Sequence, residues 1–313
     1  MKSKKTIILL SALAALCLAS CDKNEEVSVN DGAVRFTASI GREAVAKPQS
    51  RAAGTAWAAG DEIGIFMVKH GTLNIAEMVE NKKYTTATSN GIFTPVTGNE
   101  IYYPMDNSGV DFIAYYPHEA GAQLATDLPV EIATTQDDAT QAATDLMWAK
   151  ADNSGKGYEK DENAIVALAF GHCLSKLTMN CKVDPSVGQP AVLNNATVSI
   201  HGMNTRSTFD LATGTLGTTP DRPEDIAPRK LSAAPAGSHG AYDAIILPET
   251  YAGGVLTVKF TINGEPFVWY VDAIEFKPGH EYIYAVTITR TGVTATGTIV
   301  KWNPVEMGGV TAE

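Results

Sequence analysis

Short runs in which apolar and polar residues alternate recur along this chain and leave room for little besides β-structure. Val34-Arg35-Phe36-Thr37-Ala38-Ser39-Ile40 alternates, and Ile63, Ile65 and Met67 share one face of a second run. Val110, Phe112, Ala114 and Tyr116 share a face of a third, and Leu177, Met179, Cys181 and Val183 alternate with Thr178, Asn180 and Lys182 in a fourth. A period of two puts successive side chains on opposite faces of a strand. Further strands are expected over 196–200, 244–247, 256–262, 267–271, 282–289 and 294–302. Asn90-Gly91 and Asn263-Gly264-Glu265-Pro266 read as turns between strands. Residues 164–170 are apolar on both faces, as expected of a central strand covered on both sides or of one passing between packing environments. No long stretch carries the period of an amphipathic helix. Residues 69–82 could hold a short one, and the Thr/Gln/Asp-rich stretch 126–143 reads as a long loop. Many short strands between Gly/Pro turns imply an all-β fold of antiparallel β-sandwiches. The length, 313 residues, suits two such domains. The polar stretch 151–163 is the expected divide, giving an N-terminal domain over 34–155 and a C-terminal domain over 156–313.

The N-terminus carries a different message. Lys2, Lys4 and Lys5 precede an apolar run over 6–19, too short to span a bilayer comfortably. The run closes on Leu18-Ala19-Ser20-Cys21, followed by the polar Asp22-Lys23-Asn24-Glu25-Glu26. This is the pattern of a lipoprotein signal peptide over residues 1–20, cut before Cys21, whose thiol takes a diacylglyceryl group and whose new amine is acylated. Several acyl chains anchor firmly, at about 0.8 kcal/mol per buried methylene. The alternative is a plain secretory signal with an incidental cysteine. Residues 21–33 then form a lipidated tether.

Charge narrows the partners. The chain has a formal net charge of −11, and the departing signal removes three lysines and no acid. So acidic a surface argues against nucleic-acid binding, which needs a basic face to displace counterions. Of four cysteines, Cys17 leaves with the signal and Cys21 is the lipid site. Cys173 and Cys181 lie too far apart along what reads as one strand to bridge, so two buried thiols are expected.

Catalytic signatures are missing from the sequence. The six histidines do not pair at ligand spacing, and HExxH, CxxC, G-x-S-x-G and Walker patterns are absent. Glu159-Lys160-Asp161-Glu162 lacks the glycine and spacing of a calcium loop. No metal, cofactor or catalytic residue is expected, and the protein reads as structural or binding rather than as an enzyme.

A set of short pieces adds a resemblance. They are Cys21 in its lipobox, Val34-Arg35-Phe36-Thr37-Ala38, Ser50-Arg51, and Trp57-Ala58-Ala59-Gly60-Asp61-Glu62-Ile63-Gly64-Ile65-Phe66. Next come Tyr102-Tyr103-Pro104, Phe112-Ile113-Ala114-Tyr115-Tyr116-Pro117, Gln136-Asp137 and Asp145-Leu146-Met147-Trp148-Ala149. Last are the run from Leu168 to Leu177, Pro278-Gly279-His280-Glu281-Tyr282, and the run from Ile299 to Trp302. In this order they resemble the fimbrillin family of the Bacteroidota, the major-fimbrial-subunit-like proteins of type V pili. The resemblance implies two tandem transthyretin-like β-sandwich domains. It implies export as a lipoprotein to the surface of the outer membrane, and then removal of the N-terminal segment, first strand included, by an arginine-specific protease. The vacated groove would take a strand from a neighbouring subunit, and a fimbrium would grow. The implied partners are other pilus subunits, in a homo- or heteropolymer, the outer membrane through the lipid before cleavage, and a host or glycan ligand.

On this chain the blocking strand is residues 34–40. The candidate cleavage is Arg51-Ala52, in a Pro/Ser/Ala-rich stretch suited to a protease, with Arg42 second. Arg51 can equally be a plain surface residue at a sheet edge. The donor is expected within 294–313, where Gly292, Gly297, Gly308 and Gly309 would let it swing out. Two other readings stand beside this one. The first is a monomeric outer-membrane lipoprotein that binds a glycan or host ligand on a face lined by aromatics such as Trp57, Tyr102, Tyr103, Tyr115, Tyr116, Trp148 and Trp269. The second is a hydrolase that uses surface carboxylates.

Overall fold

The computed structural model describes residues 32–41, 56–160, 165–220 and 222–302. The strands of the first part are β1 (Arg35–Ile40), β2 (Glu62–Lys69), β3 (Lys82–Thr85), β4 (Ile92–Pro95), β5 (Val110–Tyr116), β6 (Leu128–Glu131), β7 (Met147–Ala151) and β8 (Ile165–His172). The short helix α1 (Asp138–Thr144) stands between β6 and β7. All but β6 form one sheet, in the order β1-β4-β3-β2-β5-β7-β8, which closes on itself because β1 also pairs with β8. Its interior is a core of Phe36, Ile63, Ile65, Met67, Tyr84, Phe93, Phe112, Leu168 and Phe170 with their neighbours.

The remaining strands are β9 (Ser175–Val183), β10 (Thr197–Asn204), β11 (Arg206–Asp210), β12 (Thr215–Leu216), β13 (Pro223–Ile226), β14 (Arg229–Lys230) and β15 (Gly240–Ile246). They continue with β16 (Thr250–Tyr251), β17 (Thr257–Ile262), β18 (Glu265–Tyr270), β19 (Ile274–Glu275), β20 (His280–Thr289) and β21 (Gly292–Lys301). A five-stranded sheet, β14-β15-β9-β20-β21, and a four-stranded sheet, β13-β10-β17-β18, share a second core. It joins Leu177, Met179 and Cys181 of the first sheet to Ile200, Val258 and Phe260 of the second. Most pairings are antiparallel; β1 with β8 and β9 with β20 are parallel. Asn263 and Gly264 both have positive φ, the two-residue turn that matches the twist of the hairpin β17–β18.

Three strands, β2, β5 and β15, are buried on both faces, but not where the sequence suggests. In β2 and β5, Ile63, Ile65, Met67, Phe112 and Ala114 face the first core, whereas Phe66, Val68, Ile113 and Tyr115 join the second. These strands therefore hold the two halves together. In β8, expected to be covered on both sides, Val166, Leu168, Phe170 and His172 are buried and Ile165, Ala167, Ala169 and Gly171 are exposed. The expected division after residue 155 leaves β8 with the second half, yet β8 pairs with β7 and β1 in the first sheet.

The stretch 126–143 is a strap rather than a loop. Strand β6 pairs with β11 of the second half over Glu131↔Arg206 to Leu128↔Phe209. Helix α1 starts on Asp137, whose carboxylate accepts from the Ala139 and Thr140 amides, while the Thr140 side chain caps the Asp137 amide in return. The carboxamide of Gln136 docks on β15 as a strand would: Nε2 donates to Ile245 O at 2.8 Å, and Oε1 accepts from Ile245 N at 2.8 Å. Residues 69–82 hold no helix. Glu77, Met78 and Asn81 take left-handed backbone angles there, and Ile75 bridges back to Val68.

Candidate functional site

The strand that closes the first sheet is the feature to build from. β1 pairs antiparallel with β4 through Phe36↔Phe93 and Thr37↔Ile92, and parallel with β8 from Arg35↔Ile165 to Ile40↔Phe170. Among the described residues it is the one link between those two strands in the sheet order, so without it both become edges with unpaired backbone groups. Its alternation does what the sequence implies. Val34, Phe36, Ala38 and Ile40 are buried, and Arg35, Thr37 and Ser39 face outward. Each large apolar side chain fully buried contributes about 1.5–3 kcal/mol.

The pockets these side chains fill are aromatic. Phe36 meets Tyr84 and Phe112 edge-on, each with ring centroids 5.1 Å apart. Trp57 stands over the Ala38–Ile40 end, edge-on to Phe93, Tyr116 and Phe170 at 5.0–5.5 Å, and its Nε1 donates to Ala38 O at 2.9 Å. Main-chain bonds complete the seat: Val34 N to Ile101 O (2.8 Å), Ala38 N to Gly91 O (2.7 Å) and Gly41 N to Phe170 O (2.8 Å). Gly91 is required at this contact, because a Cβ there would lie 2.3 Å from Ala38 O and its φ is +74°. The result is a slot that accepts an extended segment with apolar residues at alternate positions, given specificity by its pockets and affinity by its backbone bonds.

The residues singled out for modification, Cys21, Arg51 and Ala52, lie outside the described residues, as does Arg42. Most of the candidate glycan-lining aromatics belong to the cores: Trp57, Tyr103, Tyr115, Tyr116 and Trp269 are buried, Trp148 is half-buried, and Tyr102 is exposed. Cys173 and Cys181 are free buried thiols. Burial pushes the Cys173 thiol far above its usual range and Cys181 up to about 12, so neither is a ready nucleophile. Cys173 lies in the connection between β8 and β9, so the two thiols do not share a strand.

Sequence inspection missed a buried pair, His172 Nδ1 to Asp145 Oδ1 at 2.7 Å. It borders a cavity of about 550 Å³ lined by Trp148, Cys173, Phe209, Glu249 and Lys277 among others. Glu249 is already engaged there, accepting from Asn204 Nδ2 and from the Tyr251 hydroxyl. Among the described residues no group of three His, Cys, Asp or Glu side chains is placed to hold a metal ion.

The fold is an all-β body whose first sheet is closed by a single strand, β1. Comparison with known proteins gives the family. Residues 50–302 match the fimbrillin-like family, and the chain belongs to it. It is 32% identical over 328 aligned residues to a proposed fimbrium subunit of Bacteroides uniformis, Fim1C, covering 98% of each chain. A crystal structure described as a proposed cell adhesion protein from Bacteroides uniformis superposes with a TM-score of 0.67 at 29% identity, covering 87% of this chain and 99% of that one. The C-terminally truncated tip fimbrial protein Mfa3 of Porphyromonas gingivalis shares the fold at a TM-score of 0.50 and 9% identity, covering 86% of this chain and all of the other. The protein is thus a member of a family of structural fimbrial subunits at the cell surface, whose partners are other pilus subunits.

Proposed function

We propose that this chain is a structural and adhesive pilus subunit that reaches the cell surface as a lipoprotein anchored at Cys21 and assembles by protease-triggered strand exchange. One observation carries the reading: a single six-residue strand closes the first core, and apolar pockets and main-chain bonds on both sides seat it. In the sequence Arg51 stands between that strand and the rest of the fold, so a cut at Arg51-Ala52 severs β1 covalently and leaves the body intact. The family match, 50–302, begins after β1 and ends at Trp302, so the strand and the last residues both fall outside it. The vacated slot then takes a strand from the next subunit, which supplies the same hydrogen bonds and fills the same pockets.

For the donor, β21 pairs with β20 along its whole length and Trp302 is buried. That favours residues 303–313, within the broader 294–313, as the donated segment, because withdrawing β21 would break its pairing with β20. The same bookkeeping of strands favours a domain division at the β8–β9 connection, later than residue 155. Electron microscopy of purified protein after trypsin treatment tests the function. Filaments and an SDS-resistant ladder are expected; persistent monomers after complete cleavage at Arg51 would overturn it, and glycan binding by those monomers would favour the monomeric lipoprotein instead.

A further inference from the structure

The outward side of the closing strand is bordered by apolar residues. Three successive outward positions, Ala33, Arg35 and Thr37, each face a large apolar side chain turned to solvent. Tyr102 bridges Ala33 and is 51% exposed, Ile165 lies beside Arg35 at 55%, and Ile92 lies beside Thr37 at 51%. Ala167 and Ala169 continue the strip along β8, both exposed. Its three large side chains, Tyr102, Ile165 and Ile92, belong to the Ala33–Thr37 half of the slot, the mouth at which β1 enters. Another exposed apolar residue, Ile299, is 59% exposed on the edge strand β21, three residues before Trp302.

The length of chain past Trp302 connects these places. Residues 303–313 number eleven, and β1 uses six. At about 3.3 Å per extended residue, the five that remain reach about 17 Å. A copy of this chain that fills the slot with residues 303–313 therefore keeps its own exit face close to one mouth of the slot. Of the two mouths, the one rimmed by Tyr102, Ile165 and Ile92 offers that face an apolar seat. Two different patches meeting head to tail make a heterologous contact that does not close on itself, which is the geometry of a filament.

We propose that Tyr102, Ile165 and Ile92 seat the exit face of a second copy of this chain, around Ile299, so that the donated strand enters at the Ala33 end and runs in the direction of β1, parallel to β8. The proposal rests on the strand-exchange reading, and its test separates the two. The full chain is cleaved at Arg51 and assembly is followed with time. Failure of the wild-type protein to polymerise would sink both.

If it polymerises, the variant carrying Tyr102→Asp and Ile165→Asp, both at exposed positions, is expected to fold with an unchanged unfolding midpoint and to assemble about tenfold more slowly or worse. Assembly at the wild-type rate would overturn the seat and leave strand exchange standing. Orientation is read by bismaleimide cross-linking in finished polymers, where Cys21 has left with the cut segment and Cys173 and Cys181 are buried. Ile299→Cys should cross-link to Tyr102→Cys of the next subunit and not to Ser89→Cys, near the Ile40 end. The reverse pattern would overturn the direction of entry.

Discussion

The indole of Trp302 lies flat on the imidazole of His172, with ring centroids 4.0 Å apart and planes 3° apart. Lys176 Nζ is 5.9 Å from the centre of the indole, and Trp302 N donates to Gly279 O at 2.8 Å. His172 is the last residue of β8, the strand that also holds β1 along its length. One strand therefore pairs with β1 along its length and, at its last residue, stacks on Trp302. Trp302→Ala is expected to cost about 3 kcal/mol or more, read as a lowered urea midpoint. A loss under about 1 kcal/mol would mean the stack is incidental.

The buried pair beneath that stack gives a pH dependence. Burial pushes the Asp145 carboxyl above its ordinary 3.8, against the opposing pull of His172 and Lys176. The folded chain then keeps this proton where the unfolded chain has released it. The group's contribution to stability is full below 3.8 and is lost as pH rises through the raised folded value. Asp145→Asn should flatten this part of the stability–pH curve, measured by urea unfolding in a pH series. An unchanged slope would show that the carboxyl is ionised throughout.

Truncating Phe36 tests how firmly the closing strand is seated. Phe36→Ala should destabilise the protein by about 3–5 kcal/mol and speed the release of the N-terminal fragment after cleavage. Arg35→Ala, on the outward face of the same strand, should change the unfolding midpoint far less. Equal effects of the two would contradict the division of β1 into an inner and an outer face.

The strap docks beside an ion pair of the second half. Arg229 grips Asp243 through Nε at 2.8 Å and through a second nitrogen at 2.5 Å, and also reaches Asp138 of α1. Gln141 Nε2 donates to Asp243 Oδ1 at 3.0 Å. Arg229→Met leaves the Asp243 carboxylate buried with Lys176 as its remaining cation, at 3.3 Å, and should cost about 3 kcal/mol. Double-mutant cycles with Asp138→Asn should show little coupling, because that carboxylate is exposed.

What could be read from the sequence followed the strength of each periodic signal. β1 and β9 alternate over many residues and stand where the pattern puts them. β6 and α1 have four and seven residues, too short for a period to show. The Asp137…Thr140 cap was the available clue to the helix. The apolar outer face of β8 resembles a covered surface in the sequence, because Ile165, Ala167 and Ala169 look like core residues, yet all three are exposed. Their exposure beside β1 became visible only with the strand order. The slot itself, made by residues from 34 to 170, is a product of register, which a linear pattern does not encode.

The account's central claim is that the β1 segment departs in exchange for a neighbour's strand, and mass spectrometry of a cleavage time course tests it most directly. Soluble and polymer fractions are separated, and the fragment containing residues 34–40 is quantified in each. The account predicts that the fragment appears in solution in proportion to the subunits that join polymers. Polymers that retain the fragment, or fragment released while the body stays monomeric, would contradict it.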